Sequence, residues 1–163
     1  MEHAEGWTTM LEDYMLDIGY AGDLTDEVRF VTKRDISRIA ARVAIDLFFM
    51  SGERAFLDLG IDAGIDDADE PFVAAGKLLK KVTGFVDARV QAELNWYSRE
   101  RGYPLSYLTG NHLVWRLKRD FEAAQGGAGT EVDRKFHRAF LESGNMPVSF
   151  LRRLLMERGQ LNR

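Results

Sequence analysis

Apolar residues recur at the spacing of an α-helix along most of this chain, and this periodicity constrains its fold more than any other feature. In the opening stretch, residues 3–20, apolar side chains stand at i, i+3, i+4, i+7, i+8 and i+11, and they are Trp7, Met10, Leu11, Tyr14, Met15 and Ile18. At about 100° per residue, these positions share one face of a helix. A convincing alternation with a period of two residues, the pattern of a half-buried strand, occurs nowhere in the sequence.

Glycine and proline divide this periodicity into eight segments. The predicted helices cover residues 3–20, 25–50, 53–59, 71–82, 85–99, 104–124, 131–142 and 147–158. The end of the second helix, residues 45–50, is apolar nearly all round except for Asp46, which indicates burial on several sides. The sequence therefore predicts an all-α fold. We expect a multi-helix bundle of about seven to eight helices around a long buried central helix, in a single domain of residues 1–163.

Individual residues within this pattern give local predictions. Asp46 either has a function or pairs with Arg42 one turn earlier, and pairing is favoured because an isolated buried charge is costly. Asp23 and Thr25 are candidate N-caps of the second helix. Gly110 lies inside a predicted helix, where glycine costs about 1 kcal/mol relative to alanine. A close approach by a neighbouring element would account for it.

Composition and charge exclude several classes of function. The formal net charge of −4 gives no electrostatic case for binding nucleic acid or an anionic membrane. Cysteine is absent, so only His, Asp and Glu could hold a metal ion. No apolar run approaches the roughly 20 residues of a membrane span, and no signal peptide is visible, so a cytoplasmic protein is predicted. Six acids at 58–70 lack the spacing of a calcium loop and indicate a solvated acidic loop.

Three groups of polar residues are candidates for chemistry. Glu5 and Glu12 lie opposite the apolar face of the first helix, where carboxylates form either a solvated face or part of a site. Tyr97 and Tyr107 flank a helix break, and a phenol there either packs with a wet tip or stabilises an oxyanion. The three histidines are scattered and form no His-Glu-x-x-His pair, and His137 beside two phenylalanines is most simply structural.

The order of several motifs resembles the bacterial domain of unknown function 885 family. Glu5-Gly6-Trp7 with Glu12 is similar to its "EGWALYAE" segment. Further matching positions follow in the same order, and they are Arg42, Asp46, Tyr97, Gly102, residues 107–110, Phe136, His137 and residues 141–147. That family resembles gluzincin zinc peptidases. The resemblance implies a helical metallopeptidase-like fold, with a zinc-binding His-Glu-x-x-His motif in a part N-terminal to this segment.

The resemblance also implies roles for particular residues. Glu5 resembles the third protein ligand of Zn²⁺, Tyr97 and Tyr107 resemble phenols that stabilise an oxyanion, and Glu12 would support the metal site. The His-Glu-x-x-His motif itself is missing from the chain, so we expect no zinc binding by this chain alone.

Two functional hypotheses follow from this sequence. The first is the C-terminal helical portion of a zinc-dependent metallopeptidase-like hydrolase that acts on peptides and is not catalytic alone. Its partner would be the N-terminal half of the same protein or a self-association partner. The alternative is a non-catalytic all-α binding or interaction domain.

Overall fold

The chain folds into seven α-helices in the computed structural model, which describes residues 1–162, and no strand occurs within those residues. The helices are α1 Glu2–Asp17, α2 Thr25–Ser51, α3 Pro71–Thr83, α4 Asp87–Tyr97, α5 Tyr103–Ala124, α6 Thr130–Glu142 and α7 Val148–Glu157. Two short 3₁₀ turns cover Gly22–Leu24 and Arg54–Leu57. The all-α prediction is confirmed, and the segment predicted as a helix at 53–59 is only a 3₁₀ turn.

The ends of α2 show which boundary signals determine the structure. Its C-terminus is closed by Gly52, whose left-handed conformation (φ +78°) lets its N–H donate to the Phe48 carbonyl. At the N-terminus, Leu24 occupies the capping position without a side-chain hydrogen bond, so the predicted caps Asp23 and Thr25 were wrong. The preceding 3₁₀ turn runs directly into the helix, and the N–H of Thr25 already donates to the Gly22 carbonyl.

The chain separates into two compact units. The first unit contains Met1–Tyr14 and the chain from Ser106 onwards, and the second contains Met15–Leu105. Each unit has a hydrophobic core of its own. The single-domain prediction stays a prediction, since compactness alone does not show whether either unit folds independently.

The core of the first unit is built by α1, α5, α6 and α7. Its fully buried large side chains come from all four helices, and they are Met10, Leu117, Phe121, Phe136, Phe140, Leu151 and Leu155. Trp7, Leu11 and Tyr14 of α1 pack against this cluster, so most of the predicted apolar face of the first helix is confirmed. Met15 is only half-buried, and Ile18 lies beyond the end of α1 and is exposed.

The core of the second unit depends on one half of α2. Burial within α2 begins at Ala41 and is confined to the second half, where Ala44, Ile45 and Phe48 contact residues of α3 and α4. Gly52 and the turn at Arg54–Leu57 then bring Leu57 into the same cluster. The preceding part of α2, residues 25–40, contains no fully buried side chain. None of the helices in residues 1–162 combines the length and apolar character needed to cross a membrane.

Candidate functional site

The segment Glu5-Gly6-Trp7 lies where α1 crosses α5 backbone to backbone. A Cβ atom added to Gly6 would lie 2.2 Å from the carbonyl carbon of Gly110, and one added to Gly110 would lie 2.3 Å from the Glu2 carbonyl oxygen. No side chain fits at either position, because real Cβ contacts essentially never fall below 3.0 Å. The predicted close approach at Gly110 is confirmed, and α1 is the element that makes it.

Trp7 attaches α1 to α6 on the same stretch of helix. Its indole Nε1–H donates to Nδ1 of His137 at 3.2 Å, and its ring stacks on Phe140 with centroids 6.2 Å apart. An accepting Nδ1 requires the neutral Nε2–H form of His137. Burial lowers the pKa of His137, with the Asp133 carboxylate partly opposing it, so this neutral form is favoured. The structural interpretation of His137 is therefore confirmed.

A buried ionic cluster lies beside this attachment and was not predicted. Lys118 donates to Asp133 at 2.6 Å and to Glu122, and the Tyr14 hydroxyl donates to the second oxygen of Asp133 at 2.8 Å. Burial opposes the charge of Lys118, but its bonds to the two carboxylates outweigh that effect and raise its pKa. Burial likewise opposes ionisation of Asp133, but bonds from Lys118 and Tyr14 lower its pKa. The i, i+4 spacing of Lys118 and Glu122 was the only available sequence signal.

Two of the residues predicted to form a site stand next to the α1–α5 crossing. Glu5 immediately precedes Gly6, and Tyr107 lies one turn before Gly110 on α5. Both side chains are half-buried, whereas Glu12, two turns further along α1, is exposed. The crossing therefore brings together the helix segments that carry Glu5 and Tyr107 in the first unit.

Tyr97, the other predicted phenol, belongs to the second unit. It is 0 % exposed at the end of α4, and its ring is part of the hydrophobic core. Burial and the neighbouring Glu93 carboxylate raise the pKa of the Tyr97 hydroxyl, so it is protonated at neutral pH. The Glu93 carboxylate lies close enough to raise the pKa of this hydroxyl, although the hydroxyl makes no hydrogen bond of normal geometry with the described residues.

Arg42 and Asp46 organise the helix break that follows Tyr97. The guanidinium carbon of Arg42 lies 4.2 Å from the ring centroid of Trp96 and 4.7 Å from that of Tyr97, which are cation–π distances. Both carboxylate oxygens of Asp46 accept from the backbone N–H of Gly102, at 3.1 and 2.9 Å. Asp46 thus accepts from a turn 56 residues away, and Arg42, the partner predicted for it, is a nearby charge that favours its ionisation.

The described residues do not fit a zinc site of their own. No group of three or more His, Asp and Glu side chains within residues 1–162 is placed to hold a metal ion. His3 is buried and stacked on Phe140 with centroids 4.1 Å apart, His137 is bonded to Trp7, and His112 is exposed. Zinc bound at Glu5 would need ligands from outside these residues.

The structure makes this an all-α protein, and comparison with known families shows which family it belongs to. The chain matches the family described as "Bacterial protein of unknown function (DUF885)" over residues 1–155, and it belongs to that family. No curated protein matches it, and no solved structure matches it.

Proposed function

We propose that this chain is the C-terminal helical part of a metal-dependent peptide hydrolase and that it contributes Glu5 and Tyr107 to a site completed from outside the chain. The observation that carries the proposal is the Gly6–Gly110 crossing, because it unites the two helix segments that bear these residues. Trp7 holds the same turn of α1 against α6. A metal ligand and an oxyanion-stabilising group both need such a rigid support.

The proposed roles differ in how well the surroundings support them. Glu5 and Tyr107 are half-buried, so each is partly accessible to a substrate or a further domain. Tyr97 has the protonation state of a hydrogen-bond donor, but it is enclosed in the second core, so we assign the oxyanion role first to Tyr107. Glu12 is proposed to lie outside the metal ligands on the same helix and to add negative charge near the bound cation.

The test begins with the gene and continues with its longest in-frame product. We expect an in-frame His-Glu-x-x-His motif upstream of Met1 and a product that binds one zinc ion and cleaves peptides. Glu5→Gln should abolish stoichiometric zinc, whereas Tyr107→Phe should retain zinc and lower kcat by about 100-fold, the usual loss for one oxyanion donor.

Glu157→Gln is the matched control, because Glu157 is an exposed carboxylate at the end of α7. Absence of the upstream motif, or a zinc content unchanged by Glu5→Gln, would refute the proposal.

The second candidate function is a non-catalytic all-α binding domain. It is favoured by the lack of a metal-binding group within the described residues. A ribosome-binding site directly before Met1 would support this candidate and contradict the first.

A further inference from the structure

The first turns of α2, together with Leu24 just before them, carry several exposed apolar side chains. Leu24, Val28 and Val31 stand at i, i+4 and i+7 and form one line along the helix, with 61 %, 41 % and 48 % of each side chain exposed. Phe30 is 69 % exposed beside this line. We call Leu24, Val28, Phe30 and Val31 the α2 patch. Contiguous apolar surfaces of this kind mark contact sites more often than scattered single residues do.

The charges around the α2 patch are divided along the helix. The acids Asp23, Asp26 and Glu27 stand at its beginning, and the bases Arg29, Lys33, Arg34 and Arg38 follow with a single acid, Asp35, among them. Two such segments attract each other when they run antiparallel, because the acidic end of one then meets the basic part of the other. A parallel arrangement would place like charges together.

Two of these charges are placed to select the partner. Glu27 and Arg34 lie on one side of the apolar line, at i and i+7 with Phe30 between them. Both are exposed, and neither forms an ion pair with another residue in the described part of the chain. In an antiparallel helix pair with two-fold symmetry, Val28 meets Val31 of the second copy, and Glu27 then faces Arg34 of that copy.

We propose that the α2 patch is a self-association surface at which a second copy of this chain binds in an antiparallel, two-fold symmetric arrangement. The apolar line supplies burial, and two symmetry-related Glu27–Arg34 pairs fix the direction and the register. The proposal does not depend on the proposed hydrolase function, because it uses no residue of that site.

Sedimentation equilibrium of the whole chain tests the proposal, over roughly 10 µM to 1 mM, the range of weak affinities. We expect a reversible monomer–dimer equilibrium that weakens as salt is added. Glu27→Arg and Arg34→Glu should each weaken the dimer by about tenfold, since each places like charges together at two symmetric positions. The double variant should restore the dimer, because the swapped charges are again complementary.

The controls distinguish this arrangement from non-specific hydrophobic association. Glu157→Arg reverses an exposed charge on α7 and should leave the dimer unchanged. Val31→Asp should abolish it, with circular dichroism showing that the helices remain. A monomer at every concentration, a dimer that ignores both charge reversals, or a double variant as weak as the single ones would each overturn the proposal.

Discussion

In the first unit, Lys118 is buried between two carboxylates, whereas in the second unit Asp46 is buried against the backbone N–H of Gly102 with Arg42 nearby. The first cluster is an ionic group in which each charge has an opposite partner. The second is a carboxylate whose direct donor is neutral, next to a guanidinium that faces aromatic rings. Burying a charge requires compensation in both units, and the compensation comes from opposite charges around Lys118, from a backbone N–H at Asp46 and from aromatic ring faces at Arg42.

The two units also differ in how closely their helices approach. Gly6 and Gly110 bring α1 and α5 into backbone contact in the first unit. In the second unit, a Cβ atom added to Gly76 of α3 would lie 3.4 Å from Val90 and 3.5 Å from Leu94, which is ordinary packing distance. The same residue type is therefore a steric requirement in one unit and dispensable in the other.

The largest expected effect comes from filling the closer contact. Gly110→Ala should lower the free energy of unfolding of the first unit by about 4 kcal/mol, above the usual cost of overpacking, because the new carbon meets main-chain atoms that cannot rotate away. Gly76→Ala is the matched control and should change stability by at most about 1 kcal/mol, in the stabilising direction. Helix-resolved hydrogen exchange measures both units separately. Equal losses in the two variants would contradict the comparison.

The next effect comes from removing the cation of the first cluster. Lys118→Met leaves Asp133 and Glu122 without their cation, and we expect a loss of about 3 kcal/mol from the first unit. Hydrogen exchange of the α5 and α6 amides at increasing denaturant concentration measures it for the first unit. Arg134→Met is the control, because Arg134 pairs with Glu131 on the surface and should contribute less than about 1 kcal/mol. If both variants lose the same stability, the buried cluster is not a special contributor.

A smaller effect is expected from the corresponding change in the second unit. Asp46→Asn keeps one oxygen that can accept from the Gly102 N–H and removes a charge whose ionisation burial opposes, so the free energy of unfolding at neutral pH should change by less than about 1 kcal/mol. Asp46→Ala removes that acceptor and should cost more, with increased hydrogen exchange at Gly102. Unchanged exchange at Gly102 in Asp46→Ala would show that this hydrogen bond does not hold the turn.

The smallest expected effect is a difference between the two units in how their stability depends on pH. Burial lowers the pKa of His137 and of His3, so their contribution is complete above their ordinary value of 6.5 and is lost as pH falls through the lower folded pKa. The pKa of Asp133 is also lowered, so its contribution is complete above 3.8 and is lost on further acidification. The first unit should therefore lose stability steadily from neutral to acidic pH.

The pKa of Asp46 is shifted in the opposite direction, so its contribution to stability depends on pH in the opposite way. Burial raises its pKa above 3.8, so its contribution is complete below that value and is lost as pH rises through the folded pKa. Acidification from neutral pH should thus lower the hydrogen-exchange protection of amides in α1 and α6. The protection of amides in α2 near Asp46 should be maintained or increased, after correction for the intrinsic pH dependence of exchange. His137→Gln, which keeps an acceptor for Trp7, should reduce the acid sensitivity of the first unit. Parallel weakening of both units would contradict this assignment.

The sequence predicted the helices well because their signals are local. Periodicity identified every α-helix, and Gly52, Gly84 and Pro71 stand at helix ends in the structure. The glycine at Gly110 indicated a close approach, but the partner Gly6 lies more than a hundred residues earlier, and nothing local connects the two. The pairing of Lys118 with Asp133 and of Asp46 with Gly102 depends in the same way on the tertiary fold.

The candidate site was less predictable than the fold. The resemblance selected Glu5, Tyr97 and Tyr107 by motif, but only the structure shows that Tyr97 is enclosed in a hydrophobic core while Glu5 and Tyr107 stand beside a shared crossing. Burial of a tyrosine at a helix end depends on which helices cover it, and that information is not in the spacing of one segment.

The contact between Gly6 and Gly110 has a mechanical consequence for whatever the first helix does. Interfaces built from side chains can absorb a small displacement, because torsions about χ angles let the chains slide past one another. Main-chain atoms in direct contact have no such torsional slack. Any repositioning of the Glu5 carboxylate beyond its own side-chain torsions would therefore have to carry the surrounding turns along as one piece.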